Sequence, residues 1–132
     1  MLTRKLSLVV LLIVGLLFTA CGGGPKTEGC LGTAKDAIVN LQCREVKIAV
    51  ENAYLPFNYI DPETDKPAGW DYDAWNEICT RLHCKPVYVE AAWEGMIQAV
   101  ADGQFDAAAD GITITEERAQ IVDFSVGYIN ID

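Results

Sequence analysis

Residues 85–109 read KPVYVEAAWEGMIQAVADGQFDAAA and contain a strand, a helix and a second strand in succession. Residues 85–90 are rich in β-branched and aromatic side chains, which predicts the first strand. Apolar side chains then recur at helical spacing, at Trp93, Met96, Ile97, Val100 and Ala101. This spacing predicts an amphipathic helix that ends at Gly103, after which residues 105–109 form a short apolar strand.

The chain upstream of this stretch continues the same alternation. Residues 46–50, VKIAV, are apolar and β-branched, as in a mostly buried strand. Residues 61–69 hold prolines, aspartates and a glycine, which is the composition of a hairpin loop. Asp73 is a candidate cap for the helix that follows, whose apolar face would consist of Trp75, Ile78, Cys79 and Leu82.

The chain downstream adds a short helix and an extended segment. Thr115 is placed to cap a helix with Glu116 and Glu117 in its first turn, where acidic side chains favour the positive helix end. Residues 122–124 return to an extended conformation. Because strands that alternate with helices form βαβ units, the sequence predicts an α/β fold with a mainly parallel sheet flanked by helices.

The first 20 residues have the pattern of a secretory signal peptide. Arg4 and Lys5 precede residues 6–18, which carry no charge. These thirteen residues are fewer than the ~20 that a bilayer-spanning helix needs, which disfavours the alternative of a short transmembrane anchor. Residues 17–21, LFTAC, resemble a bacterial lipobox. We therefore expect cleavage before Cys21 and acyl chains such as palmitate on that cysteine, which would anchor the protein to the membrane.

A connecting region, residues 21–44, separates this anchor from the globular domain that we place at residues 45–132. Residues 22–29 are rich in glycine and lack apolar side chains, which predicts a flexible tether. Residues 30–43 begin and end with cysteine and are interpreted as a small closed loop. The globular domain is long enough for one small core.

The chain has five cysteines, an odd number for an exported protein. Lipidation of Cys21 would leave Cys30, Cys43, Cys79 and Cys84, which can pair as two disulfides in three ways. The simplest arrangement is sequence-local, with Cys30 paired to Cys43 and Cys79 paired to Cys84. A zinc site is the alternative, and it is disfavoured because His83 is the only histidine and the spacings lack CxxC pairs.

The charge of the chain restricts its partners. The formal net charge is −9, and residues 1–20 contain two basic residues and no acidic ones. The mature chain therefore keeps eight basic and 19 acidic residues, a net charge of −11. A surface this acidic repels nucleic acid and anionic lipid headgroups, so nucleic acid is not expected as a partner.

Polar and aromatic residues follow two of the predicted strands. Ligands of open α/β sheets bind where the strands end, which directs attention to these segments. Residues 51–57 supply an acid and an aromatic face, and residues 110–118 supply hydroxyls, backbone amides and one arginine. Ser125 is the only serine outside the signal peptide, and no nucleophile–base pair or metal cluster emerges. The sequence thus predicts a binding site, with no catalytic residue, metal or cofactor.

Six short motifs extend this picture over nearly the whole domain. They are YLPF at 54–57, GWDYD at 69–73, WEG at 93–95, GQFDA at 103–107, GITITEER at 111–118 and VDFS at 122–125. In this order and spacing the chain resembles the amino-acid-binding subfamily of bacterial periplasmic solute-binding proteins, family 3 type, typified by those for histidine, lysine/arginine/ornithine and glutamine. Some members also resemble it in a disulfide close to Cys79 and Cys84.

The resemblance implies a role for each of three residues in binding the main-chain groups of an amino acid. Arg118 would clamp the ligand α-carboxylate, because a guanidinium presents two parallel N–H groups to a carboxylate. Thr113 would add hydroxyl and amide donors. Gly111 would let a backbone carbonyl approach the ligand ammonium. Without the motif, Arg118 would be interpreted as a surface ion pair with a nearby acid.

The resemblance also implies which residues surround the ligand side chain. Tyr54 would form an aromatic wall, and Trp93 would either border the ligand or anchor its own helix in the core. Glu51 and Asp110 lie at acidic pocket positions. Two carboxylates beside aromatic faces would suit a cationic side chain through charge pairing and cation–π contact, although either acid could equally be a solvated loop residue.

The function implied by the resemblance is capture of a polar or cationic amino acid for an ABC-type importer, with the permease subunits as partners. Members have two lobes that close on the ligand. This chain stops at Asp132, where the crossing to the second lobe is expected, so the interpretation is a periplasmic-binding-protein-like first lobe without its second lobe. An enzyme of the same fold, such as a dehydratase, and a ligand-sensing receptor domain are the alternatives, since fold alone does not settle function.

Overall fold

The computed structural model describes residues 28–130. The predicted signal peptide, the lipidation site at Cys21 and most of the predicted tether lie outside the described residues. Among residues 28–130, no helix is long and apolar enough to cross a membrane. In chain order the elements are β1 (Glu45–Val50), β2 (Ala53–Tyr54), β3 (Asn58–Asp61), β4 (Lys66–Ala68), α1 (Trp70–Leu82), β5 (Lys85–Glu90), α2 (Met96–Ala101), β6 (Ala107–Ala108) and α3 (Glu116–Ala119).

A parallel three-stranded sheet forms the centre of the fold, in the order β5-β1-β6. The predicted parallel α/β sheet is therefore confirmed. Strand β1 is central and supplies the most buried side chains, with Ile48 fully inaccessible to solvent. Three side chains of β1 and four from other segments form the core: Val46, Ile48, Val50, Tyr72, Cys79, Cys84 and Ala109. Burial of an Ile or Val side chain contributes about 1.5 to 3 kcal/mol, so this strand is a principal source of stability.

A second, antiparallel sheet of three short strands, β2-β3-β4, follows β1 in the chain. The prediction of a hairpin loop over residues 61–69 is wrong in its second half, because Lys66–Ala68 is strand β4. Pro67 fits there because β4 is at the edge of this sheet, where the missing proline N–H is not required by a neighbouring strand. The turn itself is confined to the residues between β3 and β4.

Helix α1 begins earlier than predicted. Asp73 is not its cap: the helix starts at Trp70, and its N-cap residue is Gly69 with φ 121° and no side-chain cap. The first amides of the helix donate to backbone carbonyls, Trp70 N to Pro56 O at 3.1 Å and Asp71 N to Phe57 O at 2.9 Å. Backbone carbonyls from a distant loop thus satisfy the helix end, and a capping side chain is not needed.

Helix α2 is shorter than predicted, since it spans only Met96–Ala101. Trp93 therefore lies in the loop before the helix and is not part of its apolar face. Gly95, with φ 89°, turns the chain into the helix. The predicted strand over residues 105–109 is also reduced, to β6, because only Ile48 and Ala49 of β1 pair with it. Residues 122–124 are not part of a strand.

Within residues 28–130, one disulfide closes the N-terminal loop and a second joins the end of α1 to the residue before β5. The structure pairs Cys30 with Cys43 and Cys79 with Cys84, which is the sequence-local arrangement. The loop closed by the first pair packs on the C-terminal end of α1. Three of its amides, those of Ile38, Leu41 and Cys43, each donate at 2.8 Å to a carbonyl within residues 81–83. Those carbonyls lack partners inside the helix, so this N-terminal loop serves as its C-terminal cap.

Candidate functional site

A pocket of about 270 Å³ lies at the carboxyl ends of the parallel strands. Because the strands are parallel, the residues that follow them meet at one edge of the sheet: Glu51 after β1, Trp93 after β5 and Asp110 after β6. The lining consists of Glu51, Tyr54, Trp93, Asp110, Gly111, Ile112, Thr113 and Arg118. All seven residues predicted to contact a ligand are therefore brought together, and only Ile112 was not among them.

Arg118 is held in the pocket by its short helix and by the preceding loop. Thr115 is the N-cap of α3 as predicted, and its Oγ1 accepts from Arg118 N at 3.2 Å. The Arg118 side chain donates from Nη1 to Thr113 O at 2.8 Å. Its guanidinium lies over the Trp93 ring, 5.1 Å from the centroid. The arginine is thus oriented by neutral partners, and its remaining N–H groups are available to an anion.

The alternative that Arg118 serves as a surface ion pair is not what the structure shows. Between residues 28 and 130, ion pairs form elsewhere: Arg44 with Asp106, Arg81 with Glu77, and Lys85 with Glu45. Across that same part of the chain, no carboxylate oxygen lies within 4 Å of an Arg118 nitrogen. A half-buried guanidinium without a carboxylate beside it is a ready partner for a ligand carboxylate.

The aromatic wall of the pocket depends on the absence of a side chain at Gly111. Gly111 has φ +56°, and a Cβ there would lie 2.8 Å from Phe57 Cδ2 and 2.9 Å from Tyr54 Cε1. The Tyr54 and Phe57 rings pack against each other with centroids 5.1 Å apart. Gly111 therefore allows Tyr54 to close one side of the pocket and permits a backbone conformation that other residues rarely adopt.

Two acidic side chains lie in the pocket with the arginine. Asp110 is only 5% exposed, whereas Glu51 is half-buried. Burial raises the pKa of the Asp110 carboxyl above its ordinary value, the charges of Glu51 and Asp71 raise it further, and a hydrogen bond from Asn58 lowers it. An approaching cation would favour the ionised form of this carboxyl, so the acidic side of the pocket is suited to a positively charged group.

Two buried polar residues beneath the pocket were not predicted. Asn58 is fully buried in β3, and Asp71 is 1% exposed in the first turn of α1. Asn58 Nδ2 donates to Asp71 Oδ2 and to Asp110 Oδ1, both at 2.8 Å. Asp71 belongs to the GWDYD motif, which was a usable signal, whereas the sequence around Asn58 does not distinguish a buried asparagine from an exposed one.

A larger groove, of about 370 Å³, lies between α1, β6 and residues 123–128. Its walls are mostly apolar, with Trp70, Trp75, Ile78 and Phe124 among them. Of the seven residues predicted to contact the ligand, only Asp110 lines this groove, and Arg118 does not. The smaller pocket is the candidate ligand site, since its lining contains charges of both signs and a small polar molecule is recognised by such groups.

The parallel α/β sheet and the charged pocket at the carboxyl ends of its strands match the architecture of one lobe of a periplasmic binding protein. Residues 46–132 match the family of bacterial extracellular solute-binding proteins, family 3. The chain belongs to this family. The resemblance read from the six motifs is thereby confirmed.

Individual proteins show the same similarity. The L-arginine-binding protein of Pseudomonas aeruginosa is 36% identical over 87 residues, which are 66% of this chain and 33% of that protein. The arginine-bound form of domain 1 from TmArgBP has a TM-score of 0.60 and 30% identity, covering 64% of this chain and 66% of that one. An ancestral cyclohexadienyl dehydratase has a TM-score of 0.60 and 29% identity, covering 64% and 35%. The chain thus spans a third of the arginine-binding relative's length.

Proposed function

We propose that this chain supplies a ligand-contacting lobe of an extracellular protein that captures an amino acid and delivers it to the permease subunits of an ABC-type importer. The observation that carries the proposal is the Arg118 guanidinium, which lies in the pocket with neutral partners only. Such a group binds an α-carboxylate through two charge-assisted hydrogen bonds. Family membership and the arginine-binding relative support the same function.

The proposed ligand class is an amino acid with a cationic side chain. With Glu51 and Asp110 ionised, the pocket carries two negative charges and the positive charge of Arg118. A cationic amino acid has one carboxylate and two positive groups, so its charges complement those of the pocket. The Tyr54 and Trp93 rings add faces that attract a guanidinium or ammonium. The arginine named for the P. aeruginosa relative and for TmArgBP domain 1 is in accord with this class.

Calorimetric titration of the whole mature protein tests the ligand class. We expect arginine to bind at least about tenfold more tightly than citrulline, since a hydrogen bond to a charged group contributes ~1.5 to 3 kcal/mol and citrulline replaces the guanidinium by a neutral urea. Glutamate is the control of opposite side-chain charge and should bind weakly. Equal affinities for arginine and citrulline would refute a cationic subsite, and tighter binding of glutamate would refute the assigned polarity.

We further propose that residues 1–20 are a lipoprotein signal peptide, that residues 21–44 are a lipidated connector, and that residues 45–132 are the binding lobe. Replacement of Cys21 by Ser should release the protein from the membrane fraction or stop its processing, because a stable anchor needs the acyl chains on that cysteine. Cell fractionation with immunoblotting measures both outcomes, and Ser7→Ala is a control within the leader. A Cys21→Ser protein that is cleaved and still membrane-bound would exclude the lipid anchor.

An enzyme of the same fold is the second candidate function. It is favoured by the similarity to an ancestral dehydratase and by Asp110, a buried pocket carboxyl whose pKa is raised by burial. A carboxyl of this kind could protonate a leaving hydroxyl group. Mass spectrometry of the solution after incubation with a hydroxycyclohexadienyl carboxylic acid decides between the two: a product that has lost water and carbon dioxide supports the enzyme, and unchanged acid counts against it.

A further inference from the structure

Asn58 occupies the junction between the two sheets, α1 and the ligand pocket. Its side chain is fully buried, and every polar atom of it has a partner. Oδ1 accepts from the backbone N of Asn52 at 2.6 Å. Nδ2 donates to Asp71 and to Asp110 at 2.8 Å each, with the Ala109 carbonyl more distant at 3.2 Å. A primary amide has two hydrogens, so the two short bonds use both of them.

The two carboxylates that share this amide differ in their access to a ligand. Asp110 lines the pocket of Arg118, whereas Asp71 does not. Asp71 is fixed at the start of α1, where its backbone N donates to Phe57 O at 2.9 Å. Asn58 therefore joins a carboxylate that can contact a ligand to one that belongs to the buried framework.

We propose that Asn58 is a positioning residue for ligand binding, whose amide holds the Asp110 carboxylate in the orientation that receives the ligand cation. This inference rests on the proposed function, because it takes Asp110 to be the group that contacts the cation. The amide donates to Asp110 Oδ1, which restricts rotation of the carboxylate and leaves Oδ2 without a bond from Asn58. Asn58 itself is fully buried and does not line the pocket, so it acts through Asp110.

The electrostatic surroundings of Asp110 give this arrangement a measurable signature. Glu51 from the segment after β1 and Asp71 from α1 oppose its ionisation, and Asn58 from β3 favours it. Arg118 from α3 lines the same pocket, and Tyr128 is a further titratable group close to Asp110. Loss of the Asn58 donors should therefore raise the pKa of Asp110, whereas removal of the Asp71 charge should lower that pKa.

The first test compares ligand selectivity in the whole mature protein. In Asn58→Ser, the serine hydroxyl is one donor and cannot reach both carboxylates. This substitution should weaken arginine binding by about tenfold or more. It should change citrulline binding by much less. Asp110→Asn should produce the same loss of selectivity. In the Asp110→Asn protein, Asn58→Ser should have no further effect on the arginine-to-citrulline ratio, because the group through which Asn58 acts is already neutral. Asn76→Ser is the matched control and should leave the ratio unchanged, because this exposed side chain accepts from Tyr88 Oη at 3.0 Å and does not line the pocket.

The second test uses Asp71→Asn, which remains available if Asn58 variants do not fold. Asparagine has the shape of aspartate, so the packing of the junction is retained. Arginine affinity should be full above the raised pKa of Asp110 and should fall as the pH drops through that pKa, since the neutral carboxyl attracts the cation weakly. Asp71→Asn should move this fall to lower pH, and Asn58→Ser should move it to higher pH. Titrations with arginine between pH 4 and 8 measure both shifts.

The results separate this inference from the proposed function. If Asn58→Ser weakens arginine and citrulline equally, or if neither variant moves the pH dependence, Asn58 is only a structural link between the sheets and the inference is overturned. If Arg118→Ala and Asp110→Asn both leave arginine binding intact, the pocket is not the ligand site and the proposed function itself fails. Selective loss of arginine in Asn58→Ser together with opposite pH shifts supports the inference.

Discussion

Arg118→Ala is expected to weaken binding of a cationic amino acid by at least about thirtyfold. Truncation of one partner of a desolvated charge pair costs ~2 to 5 kcal/mol, and each ~1.4 kcal/mol is a factor of ten in affinity. Arg118 also lies over Trp93 and donates to Thr113 O, so alanine removes an oriented group and not a mobile surface charge. Calorimetric titration with arginine on the whole mature protein measures the loss.

Two further variants define what Arg118 contributes. Arg118→Lys should recover only part of the affinity, because lysine keeps the charge but lacks the planar fork that binds both carboxylate oxygens. Arg81→Ala is the matched control, since Arg81 forms an exposed ion pair with Glu77 on α1 and is remote from the pocket. Agmatine, which is arginine without its carboxylate, should bind poorly and should not respond to the Arg118 changes. An unchanged arginine affinity in Arg118→Ala would place this residue outside the site.

Gly69→Ala is expected to destabilise the domain strongly, and more than Gly95→Ala, the same substitution at the N-cap of α2. Gly69 has φ 121°, and its Cβ would collide with the carbonyl of Phe57 while approaching Pro56 O at 2.9 Å. Backbone conformations reserved for glycine cost about 1 to 3 kcal/mol each, and overpacking against fixed atoms costs about 1 to 3 kcal/mol more. We expect a loss of about 2 to 6 kcal/mol in the free energy of unfolding, measured by urea denaturation.

Gly95→Ala is the control that isolates the collision. Gly95 is also the N-cap of a helix with positive φ, 89°, but a Cβ there would meet no atom within 4 Å. It should show the conformational cost alone, about 1 to 3 kcal/mol. Equal destabilisation by the two substitutions would mean that the carbonyls of Pro56 and Phe57 can move aside, and that the start of α1 is less rigidly held than the structure indicates.

Elements with a strong local pattern could be predicted closely, and elements that depend on distant atoms could not. The strand at residues 46–50 is β1 with one added residue, and the strand at 85–90 is β5 without change. The start of α1 was predicted four residues too late, because its first amides are satisfied by carbonyls of the loop before β3. The helix that was predicted to include Trp93 is shorter than expected. Apolar spacing alone does not show that Gly95 redirects the chain before the helix begins.

The candidate site shows the same division. Five of the seven predicted residues belong to the quoted motifs, and Glu51 and Asp110 directly follow predicted strands; the parallel strands bring all seven to one edge, around one pocket. Asn58 and Asp71 beneath it were not predicted, because their importance arises from contacts between residues that are far apart in the chain. A hydrogen bond between β3 and the segment after β6 leaves no periodic pattern, and an asparagine in a short strand is ordinarily interpreted as exposed.

The N-terminal loop closed by Cys30 and Cys43 lies at the opposite end of the domain from the pocket. The loop packs on residues 81–84, beside the amino ends of β1 and β5, whereas the pocket is at the carboxyl ends of the strands. Strand β1 has six residues, and at ~3.3 Å per residue the two edges are about 20 Å apart. A support coupled to this loop would therefore be attached at the edge opposite to the pocket, and it would leave the mouth of the pocket open.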